Sequence, residues 1–206
     1  NEYMKKCASD ATLQALEIML PQGGKKNPQN YILYNGEKIE YLCYNSNWYL
    51  PCVNQYPLLT KHFEEEIKNY ISPRINSCFD SAKRDLEKKG YNVGMDGDKI
   101  EVSLYPKQIV INMEKSVDLA KAEERKRYDN FSAVVSAPLY EIANTAMEIL
   151  NGEAGNCDFD YSAYERNYPL INIDRVFTEN STRVYTLQNE LNFKFATRSC
   201  ALPGAF

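Results

Sequence analysis

Residues 31–44 read YILYNGEKIEYLCY. Two runs rich in Tyr, Ile and Leu flank Asn35-Gly36, the residue pair that most readily takes the two left-handed positions of a tight hairpin turn. The stretch therefore predicts two antiparallel strands. A second hairpin is expected directly after it, turning at Asn45-Ser46-Asn47 into Trp48-Tyr49-Leu50. On the N-terminal side, apolar residues at Met4, Cys7, Ala8, Ala11, Ala15, Ile18 and Met19 recur at helical spacing until Pro21 and Gly23-Gly24 stop the pattern.

Beyond the hairpins, Pro57 opens the longest helical stretch, through Leu58, Leu59, His62, Phe63, Ile67, Tyr70 and Ile71. Pro73 is expected to kink or interrupt it, because the ring clashes with the preceding turn. The pattern resumes at Ile75, Cys78, Phe79 and Ala82 and closes at Gly90. A strand meander follows over Tyr91–Val93, Lys99–Tyr105 and Gln108–Glu114, with Asp96-Gly97 and Pro106-Lys107 as turns. Residues 115–128 are highly charged and predict one more strand near Val117, then a polar segment. Residues 139–150 form an amphipathic helix that Asn151-Gly152 should end. Leu170–Phe177, Arg183–Leu187 and Leu191–Ala196 read as strands, the last two closing a hairpin around Gln188-Asn189.

Helices and strands are grouped rather than alternating. That predicts an α+β fold: antiparallel sheets packed with an N-terminal helix, a long Pro-interrupted helix and a later amphipathic helix, stabilised by disulfides. Residues 1–206 contain no internal repeat and no low-complexity linker, so a single compact extracytoplasmic domain is expected. A subdivision near residue 90 would separate a helix-and-hairpin part from a sheet-rich part.

Composition narrows the function classes. Charged residues are 25% and hydrophobic residues 44%, ordinary values for a globular chain. The net charge of −4 argues against nucleic acid or an anionic membrane as the main partner. No run approaches the roughly 20 apolar residues of a membrane-spanning helix. Tyrosine is over-represented, with 16 copies against one Trp and one His. Tyrosine suits half-buried strands, and it also suits contact surfaces because a rigid ring carries a polar handle.

Six cysteines, at 7, 43, 52, 78, 157 and 200, form no Cys-x-x-Cys pair. An even number without metal-type spacing points to three disulfides and an oxidising compartment. Cys43 and Cys52 flank a predicted turn, and a local bridge across it is geometrically easy. Cys7 and Cys78 each lie on an inward helical stripe, which leaves Cys157 and Cys200. Other connectivities remain open at this level. Asn130-Phe-Ser and Asn180-Ser-Thr match the glycan-acceptor pattern, with Asn76-Ser-Cys a marginal third. They agree with the cysteines about compartment.

No catalytic, metal or cofactor signature emerges. His62, the only histidine, sits beside Glu64, Glu65 and Glu66 without a nucleophile motif, and reads as part of a solvated helix face. Asp158 with Asp160, and Asp96 with Asp98, lack the ligand series of a calcium loop and read as turn residues. Phosphate-binding glycine motifs are absent.

The stretch CVNQYPLLTKHFEEEIKNYI at 52–71, followed by INSCF at 75–79, resembles an uncharacterised archaeal extracytoplasmic protein family. Its members resemble this chain in order: an early helix with a Cys, a Gly-Gly turn, a Tyr-rich hairpin, a long helix ending near a second Cys, a meander and a later helix. The resemblance implies pairing of Cys7 with Cys78 and an N-terminal membrane-spanning, pilin-like segment ahead of Asn1. It carries no active site to transfer. Membrane contact would come only through that missing anchor, and four of the cysteines lie outside the family pattern.

These readings combine into one expectation: a non-enzymatic cell-surface, filament or envelope protein, a disulfide-bonded glycoprotein working through adhesion or assembly. Its partners would be other copies or other surface proteins, and the apolar tail from Cys200 to Phe206 is a candidate contact. The alternatives are an extracellular hydrolase with two carboxylates in a cleft, or a ligand-binding module with an enclosed apolar pocket.

Overall fold

The structure, a computed structural model, describes residues 2–47 and 49–200. Trp48 and the tail beyond Cys200 lie outside the described residues, and with them part of the expected second hairpin and the expected tail contact. The elements are helix α1 (Glu2–Met19), strands β1 (Tyr31–Tyr34), β2 (Glu37–Tyr44) and β3 (Val53–Asn54), and helix α2 (Leu59–Lys88). Strands β4 (Asn92–Tyr105), β5 (Gln108–Lys121) and β6 (Glu124–Ser136) follow. Helices α3 (Leu139–Asn156) and α4 (Tyr161–Asn167) precede strands β7 (Asn172–Phe177), β8 (Thr182–Gln188) and β9 (Asn192–Arg198).

The class is α+β. Strands β4-β5-β6 form one antiparallel sheet, and β1-β2-β9-β8-β7 form the other, with β3 alongside β2. The second sheet holds one parallel joint, β2 to β9, pairing Tyr41 with Ala196 and Tyr44 with Arg198. Purely antiparallel pairing is the expectation of a hairpin-rich sequence. The parallel joint arises because the first hairpin and the last are laid side by side.

Several sequence expectations are corrected. Helix α2 runs unbroken through Pro73. Pro73 and Asn69 both face solvent, so the Asn69 carbonyl that loses its donor can be hydrated. The opposite stripe buries Leu59, Phe63, Ile67, Tyr70, Ile71, Ile75 and Phe79. At about 1.5–3 kcal/mol each, that burial outweighs the roughly 3 kcal/mol an internal proline costs.

Asp96-Gly97 is not a turn; it lies inside β4 at a register shift between Asp96 and Lys99. Gly97 has φ +82°, and a Cβ there would lie 2.5 Å from the Glu114 carbonyl oxygen. A matching shift between Met113 and Ser116 offsets β5 from β6, opposite Asn130 at φ +53°. The three long strands thus bulge at one level. The strand expected near Val117 is the far half of β5, while the polar segment expected beyond it pairs back from Glu124 as β6.

Helix α3 continues past Asn151-Gly152 to Asn156. Gly152 is there for contact, since a Cβ would come within 2.9 Å of the Phe159 ring. After Tyr44 the chain returns to pair with β2 at Val53–Asn54, and Tyr49-Leu50 lie in a turn and a bend rather than in the expected strand. Helix α4 has no sequence-level counterpart; Asp160 caps it by accepting from the Ala163 N–H, a role that the turn reading of Asp160 missed.

One contiguous core runs from Met4 through Ile71, Ile111 and Ile149 to Phe195, joining both sheets and α1, α2 and α3. Three disulfides cross it: Cys7–Cys78 between α1 and α2, Cys43–Cys52 across the β2–β3 turn, and Cys157–Cys200 from the end of α3 to the end of β9. Their separations of 71, 9 and 43 residues correspond to about 4.4, 2.6 and 4.0 kcal/mol of removed loop entropy. The β1-β2-β9-β8-β7 sheet has a second, smaller apolar cluster on its outer face: Ile39, Tyr41, Val184 and Ala196, flanked by Ile32, Tyr34 and Tyr44.

The Gly23-Gly24 turn sets how close the elements come. Both residues have positive φ, and Gly24 donates its N–H to the Met19 carbonyl. A Cβ on Gly24 would come within 2.2 Å of Phe63 Cε1, whereas Gly36 in the β1–β2 turn has open space around it. Gly24→Ala should therefore cost about 2–4 kcal/mol, combining overpacking with left-handed strain. Gly36→Ala should cost only the strain, about 1–2 kcal/mol. Urea unfolding midpoints of the two variants check the ranking.

Candidate functional site

Strand alternation builds a surface groove at one end of the outer sheet face. Strand β1 and the β1–β2 turn supply Tyr31, Ile32, Leu33, Tyr34 and Asn35; β2 supplies Tyr41 and Tyr44; and the β7–β8 turn with β9 supplies Thr178, Glu179, Asn180 and Arg198. The groove is open, with a volume of about 680 Å³. Asn35 and Gly36 both have positive φ, as a type I′ hairpin turn requires. That turn places Tyr34 and Ile32 on the same face as Ile39.

The groove floor is held by specific contacts. Tyr41 and Tyr44 rings lie 5.1 Å apart at 59°. The Tyr41 and Thr182 hydroxyls are hydrogen-bonded at 3.0 Å, and burial raises the Tyr41 pKa. Arg198 donates from Nη1 to the Tyr44 hydroxyl at 3.2 Å and from Nε to the Asn180 carbonyl at 3.1 Å. Its planar fork thereby fixes one rim of the groove. Tyrosine enrichment was legible in the sequence; the gathering of four tyrosines at one site was not, because β8 and β9 complete it.

Two buried polar clusters lie beneath. In the first, Glu153 of α3 is wholly enclosed and accepts from Arg183 Nη1 at 2.7 Å and from the Tyr185 hydroxyl at 2.5 Å. Burial pushes the Glu153 carboxyl up to about 7, while Arg183 and Tyr185 pull it the other way. Arg175 pairs with Asp158 beside them, and Arg183 also reaches the Cys200 carbonyl. Ser199 Oγ accepts from the Cys52 N–H and donates to the Glu153 carbonyl.

In the second cluster, buried Glu40 accepts from the Tyr56 hydroxyl at 2.6 Å and the Gln29 N–H at 2.6 Å, with Lys25 Nζ at 3.4 Å. His62 stacks on Tyr56 at 4.4 Å. The solvated-face reading of His62 is therefore wrong: it is half-buried, and burial beside Lys25 holds its pKa down to about 4. The helical stripe was too coarse to place it, since Tyr56 precedes the helix and folds back over it.

The other sequence candidates are placed as follows. All six cysteines are in disulfides. Asn180 is exposed on the groove rim at φ +59°, and Asn130 is exposed at the β6 bulge. Asn76 is half-buried within α2. Among the described residues no group of three or more His, Cys, Asp and Glu side chains could hold a metal ion, and no helix is long and apolar enough to cross a membrane. Comparison with protein-family models, with curated proteins and with solved structures returns no match.

Two outcomes follow from the buried clusters. Arg183→Met should cost about 3–5 kcal/mol, because it strands a buried carboxylate; Glu153→Gln with Arg183→Met together should recover much of that loss in denaturant melts. For His62 the unfolded chain takes up a proton below about 6.5 while the fold resists until about 4. Its contribution is complete above the upper value and lost as pH falls through that window. Glu153, whose folded value is raised, has the opposite slope between the ordinary carboxyl value of 4.5 and about 7, so the wild-type curve partly cancels. The difference between wild type and His62→Phe isolates the effect: the variant should lose less stability between pH 7 and pH 4.5.

Proposed function

We propose that this chain is a non-enzymatic extracytoplasmic protein that works through protein contacts in a cell-surface, envelope or filament assembly. The observation that carries this reading is the open tyrosine-lined groove. Its rings present rigid area with hydroxyls at the edge, and Arg198 is held in their midst. Tyr and Arg are the residue types that dominate contact energies, because they bury large area at small entropic cost and pair polar tips with a partner.

The three disulfides support the compartment, since such bonds persist in oxidising surroundings. They also suit a role under proteolytic or mechanical stress. Asn130 and Asn180 are accessible acceptors for glycans, and a glycan on Asn180 would border the contact surface. The two buried carboxylate clusters act as internal pins: Glu153 is wholly enclosed, beyond reach of a polymeric substrate.

Electron microscopy of native material tests the reading. Wild-type protein should appear in ordered arrays or filaments, and Tyr44→Ala with Arg198→Ala should weaken assembly by about 2 kcal/mol, or about thirtyfold, at a temperature where circular dichroism shows the variant still folded. Intact mass should rise by six hydrogens on reduction. Unchanged assembly in the groove variant, or free thiols in the native protein, overturns the reading.

A further inference from the structure

The free edges of the two sheets are treated unequally. In β4, the Leu104 N–H is met by Glu64 Oε1 at 2.9 Å. In β7, the Ile173 N–H is met by Glu165 Oε1 at 2.6 Å. Strand β6 carries Glu124, Arg125, Lys126, Arg127 and Asp129 and a bulge at Asn130. Each is a recognised way of blunting an edge against pairing with another chain.

Strand β1 has none of these three devices; it is protected by its length of four residues and by Lys38 of β2, whose Nζ lies 4.5 Å from the Tyr31 ring centroid. Its residues are Tyr31, Ile32, Leu33 and Tyr34, with no charge, no proline and no register shift. The two-residue turn makes Tyr34–Glu37 a hydrogen-bonded pair, so by alternation Ile32–Ile39 is another, and Tyr31 and Leu33 turn their N–H and C=O groups away from β2. The bond from Tyr41 N–H to the Asn30 carbonyl fits the same alternation. Among the described residues those outward groups have no protein partner. Leu33 is 66% exposed and Tyr31 38% exposed, although both are large and apolar.

We propose that β1 is the docking edge for a second copy of this chain, paired antiparallel about a two-fold axis at Ile32. Only same-parity residues can face each other across such an axis if the two sheets continue face to face. Centring on Ile32 sets Tyr31 opposite Leu33 of the second copy, and Leu33 opposite its Tyr31. All four outward N–H groups then find carbonyl partners, and the exposed Tyr and Leu side chains cover one another. Centring on Leu33 instead would satisfy only that one residue pair within the strand. The result is a continuous sheet with the tyrosine-lined grooves repeated on one face. This inference rests on the contact reading above and specifies its partner and geometry.

Sedimentation equilibrium of the oxidised chain should show a dimer, and Leu33→Lys, a solvent-facing change that leaves the fold intact, should weaken it about tenfold or more. Ile32→Cys should form a covalent dimer on a non-reducing gel, because facing residues of a non-hydrogen-bonded pair approach closely enough for a disulfide. Leu33→Cys should not. A wild-type monomer at tens of micromolar, a dimer indifferent to Leu33→Lys, or cross-linking at position 33 instead of 32 overturns the pairing. Loss of assembly in the Tyr44→Ala, Arg198→Ala variant with dimers retained would leave both proposals standing. Monomers that still assemble through the groove would sink only this one.

Discussion

The parallel joint between β2 and β9 is the constraint on which the rest of the architecture depends. It lays the second strand of the chain against the last, pairing Cys43 with Thr197 and Tyr44 with Arg198. Contacts between segments so distant in sequence close a long loop, whose entropy must be recovered locally. The strongest pins gather around this joint. Cys43–Cys52 lies at the end of β2 and Cys157–Cys200 just beyond β9. Ser199 bridges the Cys52 N–H and the Glu153 carbonyl, while Arg183 on the neighbouring strand is clamped by Glu153. The groove exists only because Arg198 and Thr182 arrive beside Tyr44 and Tyr41.

A second theme is the use of buried or edge-facing carboxylates as fasteners. Glu40 holds Tyr56, Gln29 and Lys25; Glu64 and Glu165 cap strand edges; Glu153 holds Arg183 and Tyr185. Glu40 and Glu153 each accept donors from separate elements, which offsets the cost of removing their charge from water, whereas Glu64 and Glu165 each meet one strand-edge N–H. The same device ties α2 to β4, since the Glu64 carboxylate accepts the Leu104 N–H of that strand. Among the described residues strand β1 stands apart in having no such partner, although Glu40 lies directly opposite Tyr31.

Legibility from sequence followed the range of the interaction. The Asn35-Gly36 hairpin, the Pro106-Lys107 turn, α1 and the last hairpin were readable because their signals are local and periodic. The bridge from Cys43 to Cys52 needs little more than its turn. By contrast, Pro73 and Gly152 carry strong local signals for interruption, and both sit inside helices. Packing overruled them: a buried stripe on the far side of α2, and the Phe159 ring against Gly152. Asp96-Gly97 likewise signals a turn but makes a bulge, because β5 continues beside it on both sides.

What the amino-acid sequence determined by itself was the class and order of the longer elements and the oxidising chemistry implied by six cysteines without metal spacing. Those properties arise from period, turn propensity and residue type, all of which act within a few residues. Only the tertiary structure decided that two hairpins meet in parallel, that four tyrosines share one groove with Arg198, that His62 lies under Tyr56, and that one sheet edge is left bare. Such outcomes depend on which surfaces exclude water together, and no local pattern encodes that choice.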